Sequence, residues 1–257
     1  MGELTDTSAS ERRERSIDEL RGSWNRTLEE ILEQRLAAMP PDAKKPSPDE
    51  AELPTSLRLE RLTRQALPDL EGGHQFAILS APSGGGKGTV GKLLEERGFG
   101  RMPRFTTREP RPGEVNGADY FFVTREDFLE RERAGEFLQT AETHGELRAS
   151  SRVLLKEYFD AGRKFYVEGS AGAYLEFINH PDVKSTRHLS AFLLPPSFEV
   201  LEQRLRGRAD TIDEIEIHER LAKAVEHLEK TKSYPYDAYY VNDRAERVAD
   251  AIVQDSK

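Results

Sequence analysis

A glycine-rich segment that ends in a lysine follows a short apolar run in the first half of the chain. The apolar run is Phe76–Ser80, and three consecutive glycines precede Lys87. In such a segment, successive backbone N–H groups can surround phosphate oxygens, and the following helix adds the positive end of its dipole. A lysine here reaches the β- and γ-phosphates of a nucleotide, and a hydroxyl beside it holds Mg²⁺. The residues predicted to bind ATP in this segment are Ser83, Gly84, Gly85, Gly86, Lys87, Gly88 and Thr89.

The segment departs at two positions from the common pattern G-x-x-x-x-G-K-[ST]. Ala81 stands at the first glycine, and Gly88 stands where a serine or threonine is expected, so Thr89 is the predicted Mg²⁺ residue. The alternative is a tight strand-to-helix turn in which the glycines only permit close packing. We favour the nucleotide site because apolar strand, glycines, lysine and helix follow one another in that order.

A second segment carries arginines that suit a phosphate group. Arg108 and Arg111 are forked donors for a dianionic phosphate, and Tyr120 adds a hydroxyl donor. Glu114 lies between them and is predicted to orient an arginine. The alternative for the whole segment is a charged, solvated loop.

Residues 106–120 read T-T-R-E-P-R-P-G-E-V-N-G-A-D-Y. This order resembles the acceptor-binding motif of the guanylate kinases, T-T-R-x-P-R-x-G-E-x-x-G-x-x-Y, and the resemblance extends over roughly Phe76 to Ile252. It implies a P-loop kinase that transfers the γ-phosphoryl group of ATP, with Mg²⁺, to a small phosphate-bearing acceptor. That acceptor would be a nucleoside monophosphate, with GMP as the first candidate.

The same resemblance assigns roles near the C-terminus. Val241-Asn242-Asp243 matches the family's V-N-D and implies that Asn242 lies near the adenine of ATP. Three arginines look like those of the family's lid, here about residues 208–220, which closes over the bridging phosphates. Any one of them could instead be an exposed helix charge. With Lys87, the predicted catalytic residues are Arg204, Arg208 and Arg220.

The resemblance weakens at the positions that hold the acceptor base. Arg104 stands where the family has a serine, Gln139 where it has a glutamate, and Arg148 where it has a phosphate-binding tyrosine. Because an amide offers one acceptor oxygen to the N–H groups of guanine, these changes affect selectivity for GMP more than catalysis. The added positive charge would suit a second phosphate or carbonyl oxygens on the base. The predicted acceptor-binding residues are Arg104, Arg108, Arg111, Glu114, Tyr120, Gln139, Arg148, Ser150 and Ser170.

The family's D-x-D after the third strand becomes Glu168-Gly169-Ser170. Glu168 is predicted to support Mg²⁺ together with Thr89, and the alternative role for Glu168 is a helix cap at the end of a strand.

Two other functions remain open on the sequence. The segments Arg104–Arg108 and Val167–Ser170 also resemble the ribose 1,5-bisphosphate phosphokinases, which accept a sugar phosphate without a base. A modified nucleotide is a further possible acceptor. Guanylate-kinase-like domains of scaffold proteins, which bind phosphorylated peptides without catalysis, typically have a degraded phosphate loop. The intact lysine and glycines of this chain favour a kinase over a scaffold.

Composition narrows the remaining classes. The 257 residues are 33% charged with a formal net charge of −9, which disfavours non-specific nucleic-acid binding. There is no cysteine, so thiolate metal sites and a cysteine nucleophile are excluded. No apolar run approaches the roughly 20 residues of a membrane span, and the N-terminus does not resemble a signal peptide. We expect a soluble cytoplasmic protein that does not contact a membrane.

The elements that must position these residues alternate along the second part of the chain. Five strands separated by helices predict an α/β fold of the P-loop NTPase type, with a parallel sheet covered on both faces and ligands at the carboxyl ends of its strands. An acceptor-binding insertion is expected at about residues 104–150. The predicted strands are Phe76–Ser80, Met102–Thr106, Arg163–Glu168, His188–Leu194 and Ala238–Asn242.

Residues 1–70 are predicted to form a helical N-terminal extension and linker, ahead of a guanylate kinase-like domain at 71–257. Capping-box spacing at Ser8–Glu11 and an apolar stripe from Ile17 to Leu36 predict one long helix, and a second short helix follows a proline-rich linker. We expect this arm to pack on the kinase domain or on its copy in a homodimer; the alternative is a docking element for another protein. On the sequence alone, residues 71–257 should fold without it.

Overall fold

The computed structural model describes residues 15–41, 43, 47–69, 71–143, 145–169, 171–207, 214–234 and 236–257. The predicted capping box at Ser8–Glu11, the acceptor residue Ser170 and the lid residue Arg208 lie outside the described residues. Among those described, no helix is both long and apolar enough to cross a membrane.

The described chain alternates strands and helices. Its strands are β1 Phe76–Ser80, β2 Gly100–Arg101, β3 Arg104–Thr106, β4 Tyr120–Phe122, β5 Phe137–Thr143, β6 Glu146–Ser151, β7 Phe165–Gly169, β8 His188–Leu194 and β9 Ala238–Val241. Its α-helices are α1 Ile17–Ala37, α2 Thr55–Gln65, α3 Lys87–Glu96, α4 Arg125–Arg133, α5 Arg152–Asp160, α6 Ala171–Asn179, α7 Pro181–Lys184, α8 Phe198–Arg206, α9 Glu214–Lys230 and α10 Ala245–Asp255.

A five-stranded parallel sheet forms the centre of the fold. Its strand order is β2-β7-β1-β8-β9, and every neighbouring pair is parallel. The central strand β1 is buried along its whole length, as expected for a strand with a helical layer on each face. Two separate apolar clusters pack against the sheet. The predicted fold class, a P-loop-type parallel sheet covered by helices, is confirmed.

The predicted strand Met102–Thr106 is wrong in its extent. The parallel sheet takes only β2, which ends at Arg101, whereas β3 belongs to a second sheet. Met102 still donates its N–H to the Tyr166 carbonyl oxygen (3.0 Å), but Pro103 has no N–H with which to continue the ladder. The chain therefore changes sheets at the proline.

The second sheet carries the predicted acceptor insertion. Its strand order is β4-β3-β6-β5, with β3 and β4 parallel and the other pairs antiparallel. One face packs through Phe105, Ala149 and the α4 residue Phe128 in an apolar cluster of its own. Because side chains alternate along a strand, the opposite face is available for polar residues.

The N-terminal arm is part of the main core of this chain. Helix α1 begins with a capping box formed by Ser16 and Glu19, and it packs against α2 and α9. Seven apolar side chains of the two arm helices are buried in the same cluster as β1 and β8. They are Leu20, Trp24, Leu28, Ile31, Leu32, Leu59 and Leu62.

Helix α2 also covers the exposed edge of the parallel sheet. The N–H of Tyr239 donates to the Thr63 hydroxyl (3.0 Å) and the N–H of Val241 donates to the Glu60 carboxylate (3.2 Å). Glu60 is 3% exposed and accepts hydrogen bonds from Arg247 on α10. Side chains of the arm thus satisfy backbone groups that an edge strand otherwise leaves open. The domain boundary at residue 70 stays a prediction.

Candidate active site

The glycine-rich loop connects β1 to the first turn of α3. Gly84 and Gly86 have φ values of +85° and +93°, and Gly86 is the N-cap of a helix that begins at Lys87. No side chain caps this helix end within the described chain. The first N–H groups of α3 are therefore available to an anion, as a phosphate loop requires.

The glycines also have a packing role. A Cβ on Gly84 would lie 2.7 Å from Leu201, and a Cβ on Gly86 would lie 2.1 Å from the Asn242 side-chain nitrogen. Both positions thus combine a positive φ with close neighbours, so the loop cannot keep this shape with larger residues. The close-packing alternative describes these glycines correctly but does not explain the lysine.

Lys87 lies across the loop, where its Nζ donates to the Ala81 carbonyl oxygen (2.7 Å). Gly88 and Thr89 follow in the first turn of α3, and both are exposed. Among the described residues there is no group of three or more His, Cys, Asp or Glu side chains that would hold a metal by themselves. Mg²⁺ usually takes only one or two protein oxygens beside nucleotide phosphates and water, so a threonine hydroxyl and a nearby carboxylate fit this ion.

Asn242 connects the loop to the end of β9. Its side-chain amide donates to the Gly85 carbonyl oxygen (2.9 Å), and its backbone carbonyl oxygen accepts from the Arg204 guanidinium (2.7 Å). The structure therefore brings two predicted residues, Asn242 and Arg204, to the phosphate loop.

The other described lid arginine lies apart from the loop. Arg220 donates to Glu216 one turn earlier on α9 (2.6 Å), and no hydrogen bond joins it to the loop in the described part of the chain. Arg206, which was not predicted as a site residue, pairs with both Glu202 and Glu214 and so links the end of α8 to the start of α9.

The arginine segment is held in place by a carboxylate. Arg108 donates to both carboxylate oxygens of Glu114 (2.8 Å each), and the same carboxylate accepts the Arg111 N–H (2.7 Å). Desolvation opposes ionisation of Glu114, but the Arg111 N–H and the Arg108 guanidinium outweigh it and lower its pKa. The geometry has Glu114 holding Arg108, as predicted, while Arg111 itself is exposed.

Tyr120 lies beside two guanidinium groups. The Arg108 carbon is 5.4 Å and the Arg101 carbon 5.9 Å from its ring centroid. Arg101 also pairs with Asp119 (2.9 Å) and Glu168 (3.3 Å). Arg101 was not predicted as a site residue, because the predicted strand began only at Met102, and the structure places it at the carboxyl end of β2.

Glu168 is the point at which the two sheets meet. It lies opposite Leu79 in the pairing of β7 with β1, next to the start of the phosphate loop. Its carboxylate binds Arg101, and its backbone oxygen accepts from Arg104 (3.4 Å). The predicted metal residue thus contacts one residue of the parallel sheet and one of the second sheet.

Four predicted acceptor residues share one row across the second sheet. Arg104 pairs with Tyr120, and Gln139 pairs with Ser150. The pairing of Phe105 with Ala149, continued by one residue, places Arg104 beside Ser150. The row therefore runs Tyr120, Arg104, Ser150, Gln139. Arg148 lies in the next row of the same face and pairs with Glu146 (3.1 Å).

A half-buried histidine beside Lys87 was not predicted. His227 on α9 packs edge-on against Phe192 of β8 (ring centroids 5.5 Å apart). Burial, together with the positive charges of Lys87 and Lys230, lowers its pKa to about 3. His227 is therefore neutral at physiological pH and adds no charge beside the phosphate loop.

This pKa predicts an acid-sensitive contribution to stability. The unfolded histidine binds a proton near its ordinary pKa of about 6.5, whereas the folded one does not until about pH 3. The unfolded state thus gains protons first, and the free energy of unfolding should fall by about 1.4 kcal/mol per pH unit below pH 6. Urea unfolding of the His227→Gln variant at pH 7 and pH 5 should show a smaller pH dependence than the parent; an equal dependence would contradict this assignment.

The phosphate loop and the arginine segment are linked through Glu168 and Arg101 at the carboxyl ends of parallel strands, the edge at which such sheets place their ligands. Phosphoryl transfer depends mainly on alignment and on stabilisation of charge, which these groups can supply.

Comparison with known proteins places this geometry in a family. The family model described as guanylate kinase matches residues 74–254. The guanylate kinase of Trichormus variabilis is 38% identical over 185 residues, which cover 69% of this chain and 87% of that protein. The guanylate kinase of Sus scrofa is 37% identical over 174 residues, covering 66% and 85% respectively. A crystal structure of guanylate kinase from Anaplasma phagocytophilum has a TM-score of 0.55 and 29% identity, covering 71% of this chain and 84% of that one.

The family match contains both sheets, the phosphate loop and the arginine segment, whereas α1 and α2 precede it. By sequence over most of its length and by the fold of its two sheets, this chain belongs to the guanylate kinase family.

Proposed function

We propose that this chain is an ATP-dependent nucleoside monophosphate kinase that phosphorylates GMP to GDP. The observation that carries the proposal is a series of contacts that starts beside the phosphate loop. Glu168 lies opposite Leu79 of β1 and pairs with Arg101, and Arg101 and Arg108 both lie over the Tyr120 ring. Relatives named guanylate kinase at 37–38% identity support GMP as the acceptor.

On the donor side, the N–H groups of the loop and Lys87 are proposed to bind the phosphates of ATP. Asn242, which is 4% exposed and bonded to Gly85, would hold the loop while it lies near the adenine. Thr89 and Glu168 are the proposed Mg²⁺ residues. When bound, Mg²⁺ would neutralise charge on the donor phosphates.

On the acceptor side, Arg108, Arg111 and Tyr120 are proposed to bind the phosphate that receives the transferred group. Arg204 already lies at the loop, and it is proposed to stabilise the transferring phosphoryl group together with Arg208 and Arg220. Since Arg220 binds Glu216 on its own helix, this role requires a rotation of its side chain or a movement of α9.

Other proposals follow from the sequence expectations. A sugar bisphosphate is the second candidate acceptor, favoured by the positive pair Arg104 and Arg148 on the acceptor face. A phosphopeptide-binding role is disfavoured because the phosphate loop retains its lysine and helix N-terminus. Cytoplasmic localisation stays a proposal. The arm is proposed to serve the chain's own core, since its apolar face is already buried there.

The test is ADP formation from MgATP with purified protein. We expect turnover with GMP and dGMP, and little with UMP or CMP. Turnover with ribose 1,5-bisphosphate alone would replace the proposed acceptor with the second candidate. Binding of ATP without turnover of any acceptor would contradict a kinase assignment.

A further inference from the structure

The guanidinium group of Arg104 is buried in the acceptor site with two donors unused. Its Nε and Nη2 are shielded from solvent and donate to no acceptor in the described chain. The third nitrogen, Nη1, has only a long contact of 3.4 Å to the Glu168 backbone oxygen. Burial of guanidinium donors without acceptors costs free energy, which a bound molecule that supplies acceptors would recover. The Nε and Nη2 donors are therefore assigned to a bound molecule.

Gln139 presents one acceptor at the other end of the same row. Its Nε2 donates to the Ser150 hydroxyl (3.1 Å), and its Oε1 is buried without a partner. Arg104 and Gln139 lie two strands apart, about 10 Å at the backbone, with Ser150 between them. The row therefore offers two unpartnered donors on one side and one unpartnered acceptor on the other.

A 6-oxopurine matches this arrangement. Its O6 and N7 are neighbouring acceptors, for which an arginine is the common bidentate partner. Its N1–H is a donor on the far side of O6 and can reach an amide oxygen. Adenine instead presents an amino group beside N7, which would face the Arg104 donors, and a pyrimidine has no N7.

The 2-amino group of guanine finds no matching acceptor among these side chains. A carboxylate at position 139 would accept from both N1–H and the 2-amino group, whereas the single amide oxygen accepts from one. Glu168, the carboxylate beside Arg104, is paired with Arg101 (3.3 Å). Arg104 and Gln139 would therefore recognise the base through its O6, N7 and N1–H groups and not through the group at C2.

We propose that Arg104 and Gln139 make this site selective for 6-oxopurine nucleoside monophosphates irrespective of the group at C2. The inference rests on the proposed function and narrows its substrate class. Inosine and xanthosine monophosphates are then substrates beside GMP, and AMP is not.

The first experiment measures kcat/KM for four acceptors at a fixed saturating MgATP concentration. We expect IMP and XMP within about tenfold of GMP, and AMP at least about a hundredfold below it, because buried donors of Arg104 would face the amino group of adenine.

Two variants test the assigned residues. Gln139→Glu restores a second acceptor oxygen and should raise the preference for GMP over IMP by about tenfold or more, mainly through KM. Arg104→Gln should reduce the preference for GMP over AMP. The matched controls are Gln34→Glu on the exposed face of α1 and Lys156→Gln on the exposed face of α5, which should leave all four ratios unchanged. Thermal unfolding of each variant confirms that the fold is retained.

The outcomes separate this inference from the proposed function. The inference would be overturned if GMP were preferred over both IMP and XMP by about a hundredfold or more, as expected when the 2-amino group of guanine is also recognised. The proposed GMP kinase activity would then still stand. Unchanged ratios in both variants would also overturn the inference. No turnover of any nucleotide would overturn the proposed function itself. A strong preference for ribose 1,5-bisphosphate would assign the Arg104 donors to a second phosphate and overturn both.

Discussion

Replacement of Lys87 with alanine is expected to lower kcat by about a thousandfold or more while leaving the melting temperature within a few degrees of the parent. Lys87 is the cation of the phosphate loop, and loss of one preorganised charged group at a transferring phosphate typically costs a hundredfold to a thousandfold or more. Its Nζ donates a hydrogen bond to the Ala81 carbonyl oxygen (2.7 Å), which water can replace. The loop itself is shaped by Gly84, Gly86 and the Asn242 contact.

The measurement is ADP formation with GMP as acceptor, together with thermal unfolding of each variant. Lys92→Ala is the matched control, since Lys92 lies on the exposed face of the same helix and outside the loop. Parent-like turnover in Lys87→Ala would remove the lysine from the proposed mechanism. A large loss of turnover in Lys92→Ala would show that the effect is not specific to the loop.

Removal of residues 1–70 is expected to abolish cooperative folding. This reverses the expectation from the sequence alone, because both arm helices are buried in the main core. Their seven buried apolar side chains contribute about 1.5–3 kcal/mol each, or on the order of 10–20 kcal/mol together. That sum equals or exceeds the whole stability of a typical domain, about 5–15 kcal/mol.

The truncation would also expose the edge of the parallel sheet. The N–H groups of Tyr239 and Val241 would lose the Thr63 and Glu60 acceptors, and Arg247 would lose its buried partner. An uncovered edge strand invites pairing between chains, so we expect the fragment 71–257 to aggregate. Solubility, circular dichroism and urea unfolding of the fragment test this directly.

Single substitutions in the arm measure its contribution to stability without removing it. Trp24→Ala in the full chain removes a side chain that is 1% exposed and should lower the free energy of unfolding by about 3–5 kcal/mol. Glu33→Ala on the exposed face of the same helix should change it by less than about 0.5 kcal/mol. A soluble fragment 71–257 with a parent-like unfolding transition, or equal effects of the two substitutions, would show that the arm is dispensable for folding.

Local patterns in the sequence predicted most of the fold. Strands β1, β8 and β9 are mostly apolar runs bounded by turn or helix residues, a pattern typical of strands that are covered on both faces. The strand ending at Arg101 was placed too late because the strand-forming residues Phe105 and Thr106 follow it closely. Pro103 marks the break, but the choice of sheet for the residues that follow is made by pairing partners distant in sequence.

The parts of the site that follow one another in the chain were predictable for the same reason. The glycine loop needs positive φ angles and a helix start, both of which are local properties, and Gly84, Gly86 and Lys87 show them. The contact between Glu114 and Arg108 also spans only six residues. Sequence spacing is enough where the chain itself sets the distance between two groups.

Tertiary structure alone decided which distant groups meet. The arm's amphipathic stripe predicted a buried face but could not identify its partner, which is the chain's own sheet and α9. Likewise, no spacing in the sequence shows that Arg104, Ser150 and Gln139 share a row, since that row exists only through the register of β3, β6 and β5. Residue types and local spacing determined the chemistry available to this protein. Strand register and the burial of particular donors, on which the proposed selection of acceptor rests, arise instead from non-local packing.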